Sequence, residues 1–420
     1  MTTASPAIAN AEASHSCRAC GSALKNTLID LGEQPIANAF LPADFSGEER
    51  RFPLAVMVCE ECLLVQAAHS ISADAIFDAD YAYFSSYSDS WLEHARLYSA
   101  SMIDRFALDT SSKVVEVASN DGYLLRNFVE AGIPALGVEP TANTAQAAIE
   151  RGVPTHIDFF GSETARLLAS QGHSADLMAA NNVLAHVPDI IDFLTGFALL
   201  LKPEGVVTFE FPHLYNLIRL CQFDTIYHEH FSYLSLVAVE KAIERAGLRV
   251  FDVEQLPTHG GSLRVFACRR QAHHAECAGV EVVRKIERDA GMHDMSGYQG
   301  LAPAAEHCRE TFLEFLERAK SEGATVAAYG AAAKGNTFLN YCGVSKADIA
   351  CVADRSAAKQ GKLLPGSHIP VVAPQELKSQ RPDFIVILPW NLRTEIMSDL
   401  AFARDWGGRF VIAIPETEIL

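Results

Sequence analysis

Between Phe223 and Tyr233 the sequence reads FDTIYHEHFSY, which places two histidines, a glutamate and two tyrosines in one short, loop-like segment. An imidazole next to a carboxylate suits a general base, because the carboxylate holds the ring tautomer and raises its basicity. A phenol nearby can donate to a developing enolate oxygen. The set therefore fits removal of a proton from carbon beside a ketone. Metal chemistry fits less well: His228 and His230 supply two ligands without a third, and the second histidine falls at the wrong spacing for HExxH zinc chemistry. The bland alternative is a polar surface turn.

A second group lies in Lys113–Arg126, KVVEVASNDGYLLR. Val114, Val115 and Val117 around Glu116 read as a short buried strand, Ser119-Asn120-Asp121-Gly122 as a turn, and Tyr123–Val129 as the opening of a helix whose free N–H groups face a ligand. The run Glu116, Ala118, Asn120, Asp121, Gly122 has one glycine where a dinucleotide turn has GxGxxG. Its aspartate repels pyrophosphate and suits a cationic sulfonium with an amino-acid tail. Three further strand ends follow. Ala135–Pro140 ends in Glu139 and Pro140, about twenty residues on, where a carboxylate accepts from both ribose hydroxyls. Thr155–Phe160 carries Asp158, placed for an adenine amino group, with Phe159 or Phe160 to pack on the ring. Asp176–Ala180 runs into Asn181 on the cofactor side and His186 on the substrate side. Gly205–Phe211 is the fifth strand. The turn resembles the first motif of Rossmann-like S-adenosylmethionine-dependent methyltransferases, with Glu139 and Asp158 at that fold's second and third ligand positions.

Cys17-x-x-Cys20 and Cys59-x-x-Cys62 are two knuckles, each able to point two thiolates at one ion. Together they make a closed, four-sulfur zinc site with no position left for a substrate. A thioredoxin-like redox pair accounts for one CxxC and not for two. The interval between them holds strand signals of its own, Leu28–Gly32 and Leu54–Val58, so the metal is structural and substitutes for a core that so small a segment cannot build.

The elements that position these groups divide the chain into three. With 420 residues, more than one core is expected. A net charge of −18 argues against nucleic acid as a partner, and no apolar run reaches the ~18 residues of a membrane span. Ten cysteines and no leader-like start indicate a reducing, cytoplasmic setting, with residues 1–16 read as a disordered tail. The expected architecture is α/β: a zinc-binding module (1–75), a Rossmann-like methyltransferase domain (76–275) and a second Rossmann-like, substrate-binding domain (276–420). Tyr81–Tyr87, YAYFSSY, leads into a helix from about Ser90 to Phe106; its phenols and hydroxyls, Tyr83 and Ser85 among them, either pack the linker or wall a cleft. In Leu256–Arg264 the glycines of His259-Gly260-Gly261 let backbone approach a ligand, and Arg264 either pairs with a phosphate or is a solvated strand residue. Thr325–Asn336 is again strand, small-residue turn and helix start. There Lys334 and Asn336 either receive a diphosphate or follow alanines that only allow tight packing.

In order, CxxC…CxxC, Y-x-Y-x-S-S, E-x-x-x-N-D-G, G-V-E-P, Y-x-E-H-F, L-P-x-H-G-G and Y-G-A-x-A-K resemble the S-adenosylmethionine-dependent deoxysugar C-methyltransferases from Cys17 to the C-terminal Ile-Pro-Glu-Thr-Glu. The resemblance implies a nucleotide-linked, dTDP-type 4-keto-deoxysugar as substrate, methylated commonly at C3, with S-adenosylmethionine as cofactor. It implies that His230 is the base, that Tyr227, Glu229 and Tyr83 flank the sugar (Tyr81 and Tyr87 competing with Tyr83), and that the His259–Gly261 turn touches the nucleotide-sugar. His228 varies in that family and receives no role. Two rivals stand beside this reading: an NAD-dependent oxidoreductase using the C-terminal turn, and a zinc-ribbon regulator that binds S-adenosylmethionine without catalysis.

Overall fold

In Phe52–Val58 buried and half-buried residues alternate strictly, as in a strand with one face on a core. A computed structural model describes residues 12–13, 16–71 and 84–420, and in it this segment (β2) lies between β1 (Asn26–Gln34) and β3 (Val65–Ala67), all antiparallel. The fourth strand of this sheet comes from far along the chain: Ser232–Tyr233 pairs antiparallel with Gln66 and Val65. Most of the tail expected to be disordered lies outside the described residues, as do Tyr81 and Tyr83. Glu12–Ala13 departs from that expectation by pairing with His69–Ser70.

The central sheet has seven strands. Val114–Val117 (β4), Ala135–Val138 (β5), Thr155–His156 (β6), Ala175–Asn181 (β7) and Leu201–Pro212 (β8) run parallel; the hairpin of Leu248–Leu256 (β9) and Ser262–Arg269 (β10) adds antiparallel to β8. The spatial order β9–β10–β8–β7–β4–β5–β6 puts the first strand beside the fourth, so the chain reverses direction across the sheet at the end of β4. Ligands of open parallel sheets bind at that position. Helix α1 (Asp89–Arg105) precedes β4 and is capped by the Ser88 hydroxyl on the Trp91 N–H; α2 (Leu125–Glu130) follows the turn. The third strand stops at His156, short of the expected Phe160. The Asp158 carboxylate accepts from the Phe159 N–H at 2.8 Å and bends the chain, while Phe160 turns inward against Phe193 and Phe197.

Helix α3 (Leu236–Arg245) is anchored from the next unit. Glu287, on α4 (Ala278–Asp289), is fully buried and accepts from the Leu236 and Val237 N–H groups (2.5 and 2.9 Å) and from His213 Nε2 (2.8 Å). A carboxylate at a helix N-terminus satisfies orphan donors and meets the positive end of the dipole. Glu287→Ala strands three donors, each worth about 1–3 kcal/mol when buried without a partner. We expect a loss of roughly 3 kcal/mol or more in denaturant unfolding.

Beyond α5 (Leu301–Ser321) the C-terminal sheet repeats the α/β plan. Val326–Tyr329 (β11) sits between Val352–Ala353 (β12) and Phe384–Ile387 (β14); Val371–Val372 (β13) and Arg409–Ile412 (β15) extend it in parallel, and Glu418–Ile419 (β16) closes it antiparallel. Helix α6 (Ala333–Cys342) leaves β11 through the alanine turn. One apolar core runs through Leu28, Leu54 and Val56 of the N-terminal module, Phe223 and Ile226 of the central unit, and Phe312, Phe338 and Val386 of the C-terminal one. Among the described residues no helix is long and apolar enough to cross a membrane.

Candidate active site and metal centre

The turn after β4 is held in a conformation that its residues adopt only under constraint. Ala118 (φ 57°) and Asn120 (φ 49°) are left-handed, and Gly122 (φ 76°) has its missing Cβ 2.9 Å from Val153 Cγ2. Hydrogen bonds fix the turn: the Asn120 N–H donates to Glu139 Oε2 and the Ser85 N–H to Asn120 Oδ1, both at 2.9 Å. Glu139 Oε1 accepts in addition from the Thr141 N–H at 3.0 Å and from the Thr141 hydroxyl, so this carboxylate braces the turn from the end of β5. Arg151 pairs with Asp121 at 2.6 Å.

Along this edge lie buried acceptors without a hydrogen-bond partner among the described residues: Asp121 Oδ1 and Asn181 Oδ1. Buried polar atoms are normally satisfied, so these call for a ligand that brings donors and positive charge. Burial drives the Glu116 carboxyl well above the usual carboxylate range; the Tyr123 phenol opposes the rise and the Glu139 and Asp121 charges reinforce it. The ammonium of S-adenosylmethionine supplies such donors, and its sulfonium adds positive charge. Pro140 is half-buried beside Glu139, whereas Asp158 and Phe159 are exposed, Phe159 at 53%.

Across the cleft is the His230 loop. His230 Nδ1–H donates to the Thr225 carbonyl at 2.8 Å, which leaves Nε2 as the basic nitrogen, in no hydrogen bond among the described residues. The tautomer is thus set by a backbone carbonyl, not by Glu229 as the sequence suggested. Glu229 is buried, accepts instead from Asn38 Nδ2 at 2.5 Å, and burial raises its carboxyl. His230 is kept far below the ordinary imidazole value by burial first and then by the nearby His186. Its ring centroid lies 4.1 Å from that of Tyr227 and 4.6 Å from that of His186. A neutral imidazole with one free nitrogen, half-buried beside Tyr227 and His186, is a proton acceptor.

The third wall comes from the C-terminal unit. Trp390, after β14, donates from its indole N–H to the buried Asp224 at 2.8 Å; Lys334 lies 4.8 Å from its ring centroid and donates to Asn391 at 2.6 Å. Burial lifts Asp224 to about 6 and lowers Lys334. Trp390 also explains Gly260 (φ 86°), where a Cβ would come within 2.5 Å of the indole; at Gly261 (φ 112°) it would come within 2.3 Å of Asn216. His259, at 3.3 Å from Asn182, stands at the cleft mouth against Trp91. Asp224 and Trp390 were not singled out in the sequence, although Asp224 is the second residue of the base-bearing segment.

Two expected ligand contacts need correction. Arg264 is neither solvated nor free for a phosphate: it is buried between Glu210 (2.9 Å) and Glu254 (3.1 Å) and lies over the Tyr98 ring. Asn336 is 2% exposed and donates to the Ala37 carbonyl of the N-terminal module at 3.3 Å, so it ties two units together. Ser85 acts here through its backbone on Asn120.

His186 and His228 are each held at about 4 by burial. Unfolded, both titrate near ~6.5. Their contribution to stability is therefore complete above ~6.5 and is lost as pH falls toward 4, because only the unfolded chain takes up the protons. His230 and His259, also lowered by burial, act in the same sense, whereas Asp224, raised to about 6, and the Glu116 and Glu229 carboxyls, raised by burial, work in the opposite sense in acid. Unfolding free energy measured between pH 7 and 4 should fall with pH, and less steeply in His228→Asn.

The four cysteines come together as their spacing implied. Cys17 and Cys62 sulfurs are 3.4 Å apart, Cys20 and Cys59 3.5 Å, and all four lie within 4.8 Å of one another. Four sulfurs at the ~2.3 Å of a zinc–thiolate bond stand roughly 3.8 Å apart, so the set fits one tetrahedral zinc ion. The knuckles are closed by Gly21 N–H to Cys17 C=O (2.8 Å) and Leu63 N–H to Cys59 C=O (2.9 Å).

Family descriptions match in the same order: a zinc binding domain over residues 17–77, a methyltransferase domain over 91–253 and a C-methyltransferase C-terminal domain over 257–415. C-methyltransferase NovU of Streptomyces niveus is 36% identical over 405 residues, covering 96% of each chain. A ubiquinone biosynthesis O-methyltransferase of Haemophilus ducreyi is 32% identical over 101 residues, 23% of this chain and 43% of that one. Among solved structures, the magnesium protoporphyrin IX methyltransferase of Synechocystis PCC 6803 with bound SAH aligns at a TM-score of 0.35 and 14% identity, over 42% of this chain and 83% of that chain. The assignment rests on the relative matched along nearly its whole length: the chain belongs to the S-adenosylmethionine-dependent C-methyltransferase family.

Proposed function

We propose that this C-methyltransferase acts in the cytoplasm on a nucleotide-linked, dTDP-type 4-keto-deoxysugar, methylating the carbon next to the ketone, commonly C3, through an enolate. The observation that carries the reading is the neutral, half-buried His230, its Nδ1–H fixed on Thr225 and its Nε2 in no hydrogen bond among the described residues. His230 Nε2 takes the proton alpha to the ketone, and the ring becomes an imidazolium. Tyr227 serves as a donor to the enolate oxygen, and Glu229 flanks the sugar, as the family resemblance implies for Tyr83 too. S-adenosylmethionine, when bound, supplies an electrophilic methyl on a sulfonium. Glu116, Ala118, Asn120, Asp121, Gly122, Glu139, Pro140, Asp158, Phe159 and Asn181 would hold it. His186, His259, Gly260, Gly261 and Lys334 line the sugar side, where closure of Trp390 onto Asp224 keeps water out. The division at 75/76 and 275/276 belongs to the same proposal.

An oxidoreductase has less support. Asp354, which follows β12 where a dinucleotide fold carries its ribose-binding carboxylate, already accepts from the Ala331 and Ser356 N–H groups at 2.7 and 2.8 Å. Incubation with S-adenosylmethionine and a panel of dTDP-linked 4-keto-deoxysugars, followed by mass spectrometry, should give one product heavier by a methylene. In D2O with S-adenosylhomocysteine, the same sugar should exchange its alpha proton. A panel with neither product nor exchange would sink the proposal.

A further inference from the structure

The residues on both sides of His230 are gripped by the N-terminal module. His228 Nε2–H donates to the Phe52 carbonyl at 3.3 Å, and Asn38 holds Glu229. The Phe231 carbonyl accepts from the Ala67 N–H (3.0 Å) and from Arg18 Nη1 (3.1 Å), and Ser232 and Tyr233 form the edge strand against β3. The central unit adds the Ala185 carbonyl to the Phe231 N–H at 2.7 Å.

Two side chains join this grip to the metal centre. Gln66 has no exposed surface; its Nε2 donates to Cys17 Sγ at 3.2 Å and its Oε1 accepts from the Arg18 N–H at 3.0 Å. Arg18 follows Cys17 in the knuckle, and its guanidinium lies 5.6 Å from the Phe231 ring centroid. From a zinc-binding sulfur to the carbonyl next to the base, the path thus crosses only Gln66 and Arg18.

We propose that Arg18 and Gln66 are positioning residues, which couple the metal-ordered Cys17 knuckle to the Phe231 carbonyl and thereby fix the His230 ring in the cleft. The proposal rests on the reading of His230 as the base. A charged donor on a half-buried carbonyl makes a strong, directional bond. It fixes the Phe231–Ser232 peptide, one residue past the His230 backbone, and an error of about 1 Å at a reacting group can cost on the order of 10²-fold in rate. The zinc ion then has a task beyond holding its own module: it keeps the knuckle in register with the loop.

The test uses the full, zinc-loaded chain with isotope-labelled histidine, the His230 ring signal being assigned by its loss in His230→Asn. Arg18→Met keeps an aliphatic stem but no donor, and Arg18→Lys keeps a charged donor. Gln66→Leu cuts the link at its other end. With zinc content unchanged, Arg18→Met and Gln66→Leu should each shift the His230 signal and raise its titration midpoint toward that of free imidazole, while Arg18→Lys restores part of the parental behaviour. If Arg18→Met yields no folded protein, Gln66→Leu decides alone. Parental His230 titration in the folded, zinc-loaded variants overturns the proposal. A shifted signal together with parental turnover in His230→Asn upholds the positioning and removes the base assignment instead.

Discussion

Methyl transfer should fall by about 10²–10⁴-fold in His230→Asn, the range for loss of a positioned general base. Affinity for S-adenosylmethionine should stay at the parental value, because the cofactor turn lies on β4 and β5 and takes nothing from the His230 ring. Asparagine retains a side-chain donor toward Thr225, so the loop keeps its shape while the basic nitrogen is gone. The pH profile is an independent check. Burial, and then His186, hold the imidazole far below its ordinary value, so it remains a neutral base well into acid. The acid limb of kcat/KM should therefore lie well under ~6.5, the value for an unperturbed histidine. An acid limb at or above that pH, or full turnover in the asparagine variant with calorimetry showing normal cofactor binding, would remove His230 from the mechanism.

Cys59→Ser, or prolonged chelation, should unfold the N-terminal module and drag the rest of the chain with it. Structural zinc contributes about 10–16 kcal/mol in isolated zinc-finger peptides. Here the module has no separate core: Leu28, Leu54 and Val56 belong to the cluster that includes Phe312 and Phe338. We expect a large fall in melting temperature, loss of bound zinc, and early proteolysis within 17–67. A variant that melts like the parent would show that the four sulfurs are held by packing alone.

How much of this was legible in the sequence depended on the range of the interaction. The two CxxC pairs and the Glu116–Gly122 turn are local patterns, and the structure forms each where the spacing placed it. The third strand was read too long because Asp158 bonds its own neighbour and breaks the ladder, a competition that hydrophobic patterning does not record. Arg264 was open to two readings, phosphate ligand or solvated strand residue, because its partners, Glu210 and Glu254, come from two other strands and meet it only through sheet register. The same holds for Asn336 and Ala37, and for Trp390 and Asp224. Each pair joins residues far apart in sequence, and a single chain carries no mark of such pairings.

The strand Ser232–Tyr233 also bears on how the molecule is made. The N-terminal sheet needs an edge that leaves the ribosome long after β3, on the order of ten seconds later at about 5–20 residues per second. Until then β3 exposes an unpaired row of N–H and C=O groups on a module that has not yet met its core, a template for sticking to other nascent chains. Early zinc capture by four cysteines that all precede residue 63 is what can keep this half-built sheet compact while the rest of the polypeptide is synthesised. Zinc supply during translation should therefore govern the yield of folded protein more strongly than zinc added after synthesis is complete.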